Sequence, residues 1–241
     1  MTTTIDLPLR PPRGGSSRRR AWLLLLVASL AVGLGAPVWL DARASAQYPV
    51  SAADLAAGRA ALDSLAVKGR APRTGYERTA FGQPWADVDR NGCDTRNDVL
   101  QRDLVDVTYK PGTRECVVLT GLLADPYTGE AIAFERGERS SEVQIDHVVA
   151  LADAWQKGAQ TWTAERRIAF ANDPANLLAV DGGANQRKGA GDAATWLPPN
   201  HGYRCAYALR QTVVKAAYGL WVTRAEHDAL AREIGRCVVV G

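Results

Sequence analysis

The sequence predicts an α+β fold, a small β-sheet with surrounding helices. Short apolar and β-branched runs alternate with Pro-Gly, Asp-Pro and Gly-Gly turns between residues 105 and 183. Capped helical segments lie on either side of that region. Within 143–196 the pattern runs strand, strand, helix, a ββα unit interrupted by an insertion.

Taken in order, Ser51 followed by Asp54 predicts a helix cap. The helix carries Leu55, Leu62 and Leu65 to about Val67, where Gly69 and Pro72 stop it. Residues 74–98 are rich in Gly, Asp, Asn and Arg, which predicts mostly loop. Residues 105–109 and 115–119 flank Lys110-Pro111-Gly112-Thr113 and read as a hairpin, and 123–134 continue the sheet. Val143-Gln144-Ile145 is a strand that ends on Asp146-His147. Helical character follows over 150–157, and again from a Thr163 cap to Ala171. Residues 176–180 form the next strand, Asp181-Gly182-Gly183 turns the chain, and a helix starts at Asn185. Residues 203–218 and 223–234 are helical, the second opened by Thr223 with Glu226. Along the first of these, Ala206, Leu209, Val213, Ala217 and Leu220 form the expected buried stripe.

With 241 residues, 46% of them hydrophobic, the chain can bury a sizeable core, which excludes a disordered or fibrous protein. Its net charge of +3 says little about nucleic acid. Residues 1–46 carry six arginines against two aspartates, a net of +4, so the remaining chain stands at −1. Any nucleic-acid contact must then come from a local basic patch. Residues 1–46 are expected to be a leader: Arg18-Arg19-Arg20 precede an apolar run at 21–40, and Ala44-Ser45-Ala46 has the form of a cleavage site. Cleavage makes 47–241 a single secreted domain. The alternative is a retained membrane anchor with the domain outside, since the run is long enough to span a bilayer.

Cys93, Cys116, Cys205 and Cys237 follow the leader. An even count in an exported chain favours two disulfides, and the spacing of a zinc site is absent. Of the three connectivities, proximity in sequence favours Cys93 with Cys116 and Cys205 with Cys237.

Phosphodiester hydrolysis with one metal needs an oxygen-ligated divalent cation, a base for the attacking water and cations for developing charge. At a strand end the Asp146 carboxylate and the His147 imidazole can both be used, one on a metal and one on water. A lone histidine between apolar residues is more often structural. Asn176, then Asn185 nine positions later, then Arg187-Lys188 place a second strand and a helix start behind the Asp-His pair. The joint pattern is more specific than its parts.

These residues carry a resemblance. Asp146-His147-Val148-Val149, Asn176-Leu177-Leu178 and Asn185-Gln186-Arg187-Lys188-Gly189 resemble the HNH (ββα-metal, His-Me finger) endonuclease family, in particular the C-terminal nuclease domain of GmrSD-type restriction enzymes. Their order is also similar to the HNH domain of RNA-guided CRISPR nucleases. More broadly, residues 74–237 look like small secreted actinobacterial HNH nucleases, on Gly92-Cys93-Asp94-Thr95-Arg96-Asn97-Asp98, on 181–199 and on Tyr203-Arg204-Cys205. The resemblance implies His147 as general base, Asp146 and Asn185 as metal ligands, and Asn176 as the residue whose amide pins the loop and orients His147. It implies Lys188, with Arg187, on the phosphate of a DNA or RNA substrate. A third histidine is missing from the pattern, since His201 and His227 fall elsewhere. Asp with Asn is an oxygen site, suited to magnesium or manganese. The implied activity is metal-dependent endonuclease cleavage by a secreted protein. The alternative is a non-catalytic, disulfide-braced envelope or binding protein on the same scaffold.

Weaker signals remain open. Asp87-Val88-Asp89-Arg90-Asn91-Gly92 matches the first half of a calcium loop, with Asp98 at the twelfth position, and otherwise reads as a turn tied down by Cys93. Trp155, Trp162 and Trp196 could stack bases or fill the core. Lys110, Arg114, Arg204, Arg210 and Lys215 could meet phosphates or face solvent.

Overall fold

The computed structural model describes residues 47–239 and Trp22. The chain divides into two compact units, Met1–Ala42 and Arg43–Gly241, and all the described residues but Trp22 belong to the second. The expected leader therefore lies outside the described residues, Trp22 apart. Among the described residues no helix is long and apolar enough to cross a membrane.

Helix α1 (Ala52–Ser64) starts where its cap predicts, with Ser51 Oγ accepting the Asp54 amide at 3.0 Å. The stretch expected to be loop ends in a helix, α2 (Thr95–Asp103), because the Asp94 carboxylate caps it by accepting the Asn97 amide at 2.8 Å. Poor helix formers fill its first turn, where capping outweighs propensity, and the next turn buries Val99 and Leu100.

Three antiparallel strands come next, in the order β1-β2-β3: β1 (Leu104–Tyr109), β2 (Val118–Ala124) and β3 (Ala131–Glu135). The second strand begins later than the hairpin reading places it. Arg114 and Glu115 hold left-handed backbone at φ 51° and 59°, and Cys116 is bonded to Cys93, so this segment cannot pair as a strand.

Strand β4 (Val143–His147) pairs antiparallel with β5 (Leu177–Asp181), placing Asp146 opposite Leu178 and His147 opposite Leu177. Between them run α3 (Leu151–Gln156) and α4 (Ala164–Ala171). Helix α5 (Gly182–Lys188) leaves β5 directly, three residues before the expected start at Asn185. The Gly-Gly pair reads as a turn, yet Asp181 caps the helix by accepting the Ala184 amide at 2.7 Å. A Cβ on Gly182 would lie 2.1 Å from the Ser141 carbonyl oxygen, so only glycine lets the helix start so close to the strand.

The β4–β5 ribbon is buried on both faces. Val143, Ile145, Leu177 and Ala179 pack with Val99, Leu100 and Phe134, while Leu178 and Val180 pack with Tyr127, Tyr203 and Tyr207. Helices α6 (Arg204–Ala217) and α7 (Arg224–Ile234) complete the order, and α6 packs Leu209 against α1 so tightly that a Cβ on Gly58 would meet Leu209 Cδ2 at 2.2 Å.

The expected stripe on α6 is out of phase. Val213 is 45% exposed, whereas Gln211, Thr212 and Lys215 are buried, because this helix runs between clusters and packs on several sides. Lys215 neither meets phosphate nor faces solvent. It joins a buried ion network in which Lys215 Nζ lies 2.8 Å from Asp153 and 2.9 Å from Glu226, and Lys157 Nζ lies 2.6, 2.8 and 2.6 Å from Asp153, Asp192 and Glu226. Arg70 closes it on Asp153 and Asp192. Three cations and three carboxylates balance.

Arg204 and Arg210 are likewise committed, to the Pro198 carbonyl and to those of Pro174, Ala175 and Leu177. Trp155, Trp162 and Trp196 pack in or against core clusters. Residues 87–94 form a bent loop leading into α2, in which Asp98 lies: Asp87 accepts the amides of Asn91 and Gly92, and Asn91 bridges Asp89 and Asp98. Both disulfides form as proximity favours, Cys93–Cys116 and Cys205–Cys237, across 23 and 32 positions. Closing loops of this size stabilises the fold by about 3–4 kcal/mol each.

Candidate active site

Successive residues of β4 face opposite sides, so Asp146 shares a face with Gln144 and His147 with Ile145. The backbone just beyond the strand, at Val148 and Val149, is held from several directions. The Val148 amide donates to the Asn176 carbonyl at 2.8 Å, and the Val148 carbonyl accepts from Gln211 Nε2 at 2.8 Å. The Val149 amide donates to Asn176 Oδ1 at 2.8 Å, and Asn176 Nδ2 returns to the Val149 carbonyl at 3.3 Å. Asn176, fully buried, thus holds the backbone two residues beyond His147, and its side-chain hydrogen bonds go to Val149 while the ring's goes to Ala171.

His147 is 7% exposed, and its Nε2 lies 2.8 Å from the Ala171 carbonyl oxygen at the end of α4. A carbonyl only accepts, so Nε2 carries the proton and Nδ1 is left with its lone pair. The Trp85 ring stacks on the imidazole at 6.2 Å and 16° between planes. Burial pushes the imidazole pKa down to about 3, against the Ala171 hydrogen bond, with Arg78 and Lys188 adding to the depression. The ring is neutral at ordinary pH, and Nδ1 keeps its lone pair.

Asp146 is 5% exposed. Oδ1 accepts from Lys188 Nζ at 2.9 Å and Oδ2 from the Tyr127 hydroxyl at 2.5 Å. Burial raises its carboxyl above the ordinary range, opposed by Lys188 and Tyr127. Lys188 is not where a phosphate-binding lysine would be. Its side chain is wholly buried, and its ammonium also donates to the His147 carbonyl at 2.8 Å. The physical cause is the buried carboxylate of Asp146, which needs a counter-charge.

Asn185 is oriented by a relay. The Ser141 carbonyl can only accept, so Gln144 Nε2 donates to it at 3.2 Å and Gln144 Oε1 faces Asn185. Asn185 Nδ2 donates to that oxygen at 2.9 Å, which leaves Asn185 Oδ1 as the acceptor end of the amide.

Asp146, His147 and Asn185 line one cavity of about 310 Å3 together with Arg73, Tyr76 and Arg78. Arg187 is exposed and does not line that cavity. The three residues of the 73–78 segment, with Trp85, Tyr127, Gln144 and Gln211, escape sequence reading. Only the interleaved arginines and aromatics of 73–85 offered a signal. Among the described residues no group of three or more His, Cys, Asp or Glu is arranged to hold a metal. The Asp146–Asn185 set is smaller and made of oxygens. Each Asp146 oxygen has accepted one hydrogen bond and keeps a lone pair, and Asn185 Oδ1 adds a neutral donor. Such a set fits a hard cation that keeps much of its water, as magnesium does.

A two-stranded ribbon running straight into a helix, with an aspartate and a carbonyl-anchored histidine ending its first strand, defines an α+β protein of the HNH nuclease-domain class. The chain belongs to the family of the C-terminal domain of GmrSD restriction endonucleases, whose family model matches residues 94–233, more than half its length. Membership points to nuclease-like function and to nucleic acid as substrate. The chain is also 37% identical over 178 residues to a protein of Arthroderma benhamiae described as an uncharacterized secreted protein, a match covering 73% of this chain and 82% of that one. No solved structure matches it.

Proposed function

We propose that the protein is a secreted, metal-dependent endonuclease that hydrolyses phosphodiester bonds of DNA, with RNA as the second candidate substrate. The observation that carries this reading is the neutral His147, its Nε2–H given to Ala171, in the same cavity as two oxygen donors, Asp146 and Asn185. His147 Nδ1 takes the proton of a water whose oxygen attacks phosphorus, while the bond to the leaving sugar oxygen breaks and that oxygen is protonated from solvent. Asp146 and Asn185 would hold magnesium or manganese, which supplies neutralisation of phosphate charge when bound. Lys188 balances and orients Asp146, and Asn176 fixes the backbone beyond His147. The secreted description of the relative and the two disulfides support export.

The test is incubation of the full chain with plasmid, single-stranded DNA and RNA, with magnesium, manganese or EDTA, beside His147→Ala and Asn185→Ala. Cleavage by wild type alone, abolished by EDTA, is the expected result. Equal cleavage by His147→Ala would overturn the mechanism, and no cleavage by any form would favour a non-catalytic scaffold.

A further inference from the structure

With Lys188 buried against Asp146 and Arg187 outside the cavity, the charge that meets substrate phosphate must come from elsewhere. Nearby cations are committed as well: Arg102 and Arg210 to the Pro174 and Leu177 carbonyls, and Arg70, Lys157 and Lys215 to the buried ion network. Arg73 and Arg78 differ. Both are exposed, both line the 310 Å3 cavity with Asp146, His147 and Asn185, and neither is among the arginines ion-paired to a carboxylate in the described residues.

Each is also held in place. The Arg73 guanidinium lies 4.9 Å over the Tyr76 ring, and Tyr76 packs edge-on against Trp155 at 6.0 Å. Arg78 opens a 3-10 turn (Arg78–Phe81) anchored by the buried Phe81. It also lines a small space of about 20 Å3 with His147 and Trp85, so it borders the histidine in both cavities.

We infer that Arg73 and Arg78 are the substrate clamp of this site, Arg78 on the scissile phosphate beside His147 and Arg73 on a neighbouring phosphate of the same strand. The inference rests on the nuclease reading. Both residues lie upstream of the 94–233 family match, so this part of the cavity is built by chain outside it. A guanidinium presents a planar fork that suits phosphate oxygens, and here no carboxylate must be displaced first. A cation beside the reacting phosphorus acts where charge develops, whereas one on an unreacting phosphate binds substrate and transition state alike.

The experiment uses the full chain, Arg73→Gln, Arg78→Gln and, as a charge control, Arg59→Gln on the exposed surface of α1. Cleavage of a short oligonucleotide gives kcat and KM. Binding of the same labelled oligonucleotide by anisotropy, in a His147→Ala background without metal, is measured across a salt series. Arg78→Gln is expected to lose kcat by on the order of 10²-fold, and Arg73→Gln to lose chiefly in KM. Each is expected to reduce the slope of log affinity against log salt by about 0.7–0.9, with Arg59→Gln matching wild type. If wild type cleaves and both cavity variants keep its kcat/KM, the clamp is wrong and the nuclease reading stands. If wild type cleaves nothing while both variants still weaken binding, the nuclease reading fails, the assignment of Arg78 to a scissile phosphate fails with it, and only phosphate binding by the two arginines stands. Absence of binding by every form overturns both.

Discussion

Lys188 Nζ lies 2.9 Å from Asp146 Oδ1, and both side chains are almost completely withdrawn from water. Removing one partner of such a pair strands a charge in the interior at a cost of about 3–5 kcal/mol. Lys188→Met should therefore lower the unfolding free energy by about 3 kcal/mol. Asp146→Asn combined with Lys188→Met should recover part of that loss, since neither charge remains. Urea unfolding of the single and double variants measures the coupling. A double variant no more stable than Lys188→Met would break the proposed dependence.

Gln144 sets the Asn185 amide through its own commitment to Ser141. Gln144→Leu removes the acceptor and frees the amide to rotate, so the magnesium concentration for half-maximal cleavage should rise about 10–100-fold. Stability should change by less than about 1 kcal/mol, because Gln144 is not fully buried. An unaltered metal requirement would remove Asn185 from the ligand set.

Asn176→Ala deprives the Val149 amide and carbonyl of their side-chain partner. Each buried group left unpaired costs about 1–3 kcal/mol. Hydrogen exchange of the Val149 amide should be slow in wild type and fast in the variant, with cleavage reduced. Continued protection of that amide in Asn176→Ala would mean that the loop is held by other contacts.

Asp153 gives the pH response of the ion network. Burial alone would raise its carboxyl, but Lys215 and Lys157 outweigh it and hold the carboxyl below the ordinary value. Its contribution is therefore present above the unfolded carboxyl pKa of about 3.9 and is lost as pH falls through the lower folded value. Asp192, held down by Lys157, acts in the same window. Asp153→Asn should cost about 3 kcal/mol at neutral pH and make the loss of stability below about pH 4 shallower. Parallel acid-unfolding curves for variant and wild type would refute this assignment.

Much of the architecture was legible from local chemistry. The caps at Ser51, Thr163 and Thr223 act over three residues, so their side chains and spacing suffice to place helix starts. A ribbon turning into a helix brings Asp146 and Asn185, nearly forty positions apart, to one cavity. Where reading failed, the cause was also physical. Capping residues at Asp94 and Asp181 looked like loop because the groups that favour caps also favour turns.

By itself the sequence determined the α+β class, since caps, turns and strand alternation are short-range patterns, and proximity in sequence favoured the two disulfides that form. The tertiary structure alone decided how charge is spent. It turned Lys188 inward because the buried Asp146 carboxylate needs a counter-charge, gathered Asp153, Lys157, Asp192, Lys215 and Glu226 into one network, and left Arg73 and Arg78 lining the cavity. Whether a basic side chain meets substrate or neutralises a buried carboxylate depends on desolvation by residues distant in the chain, and no local pattern encodes that.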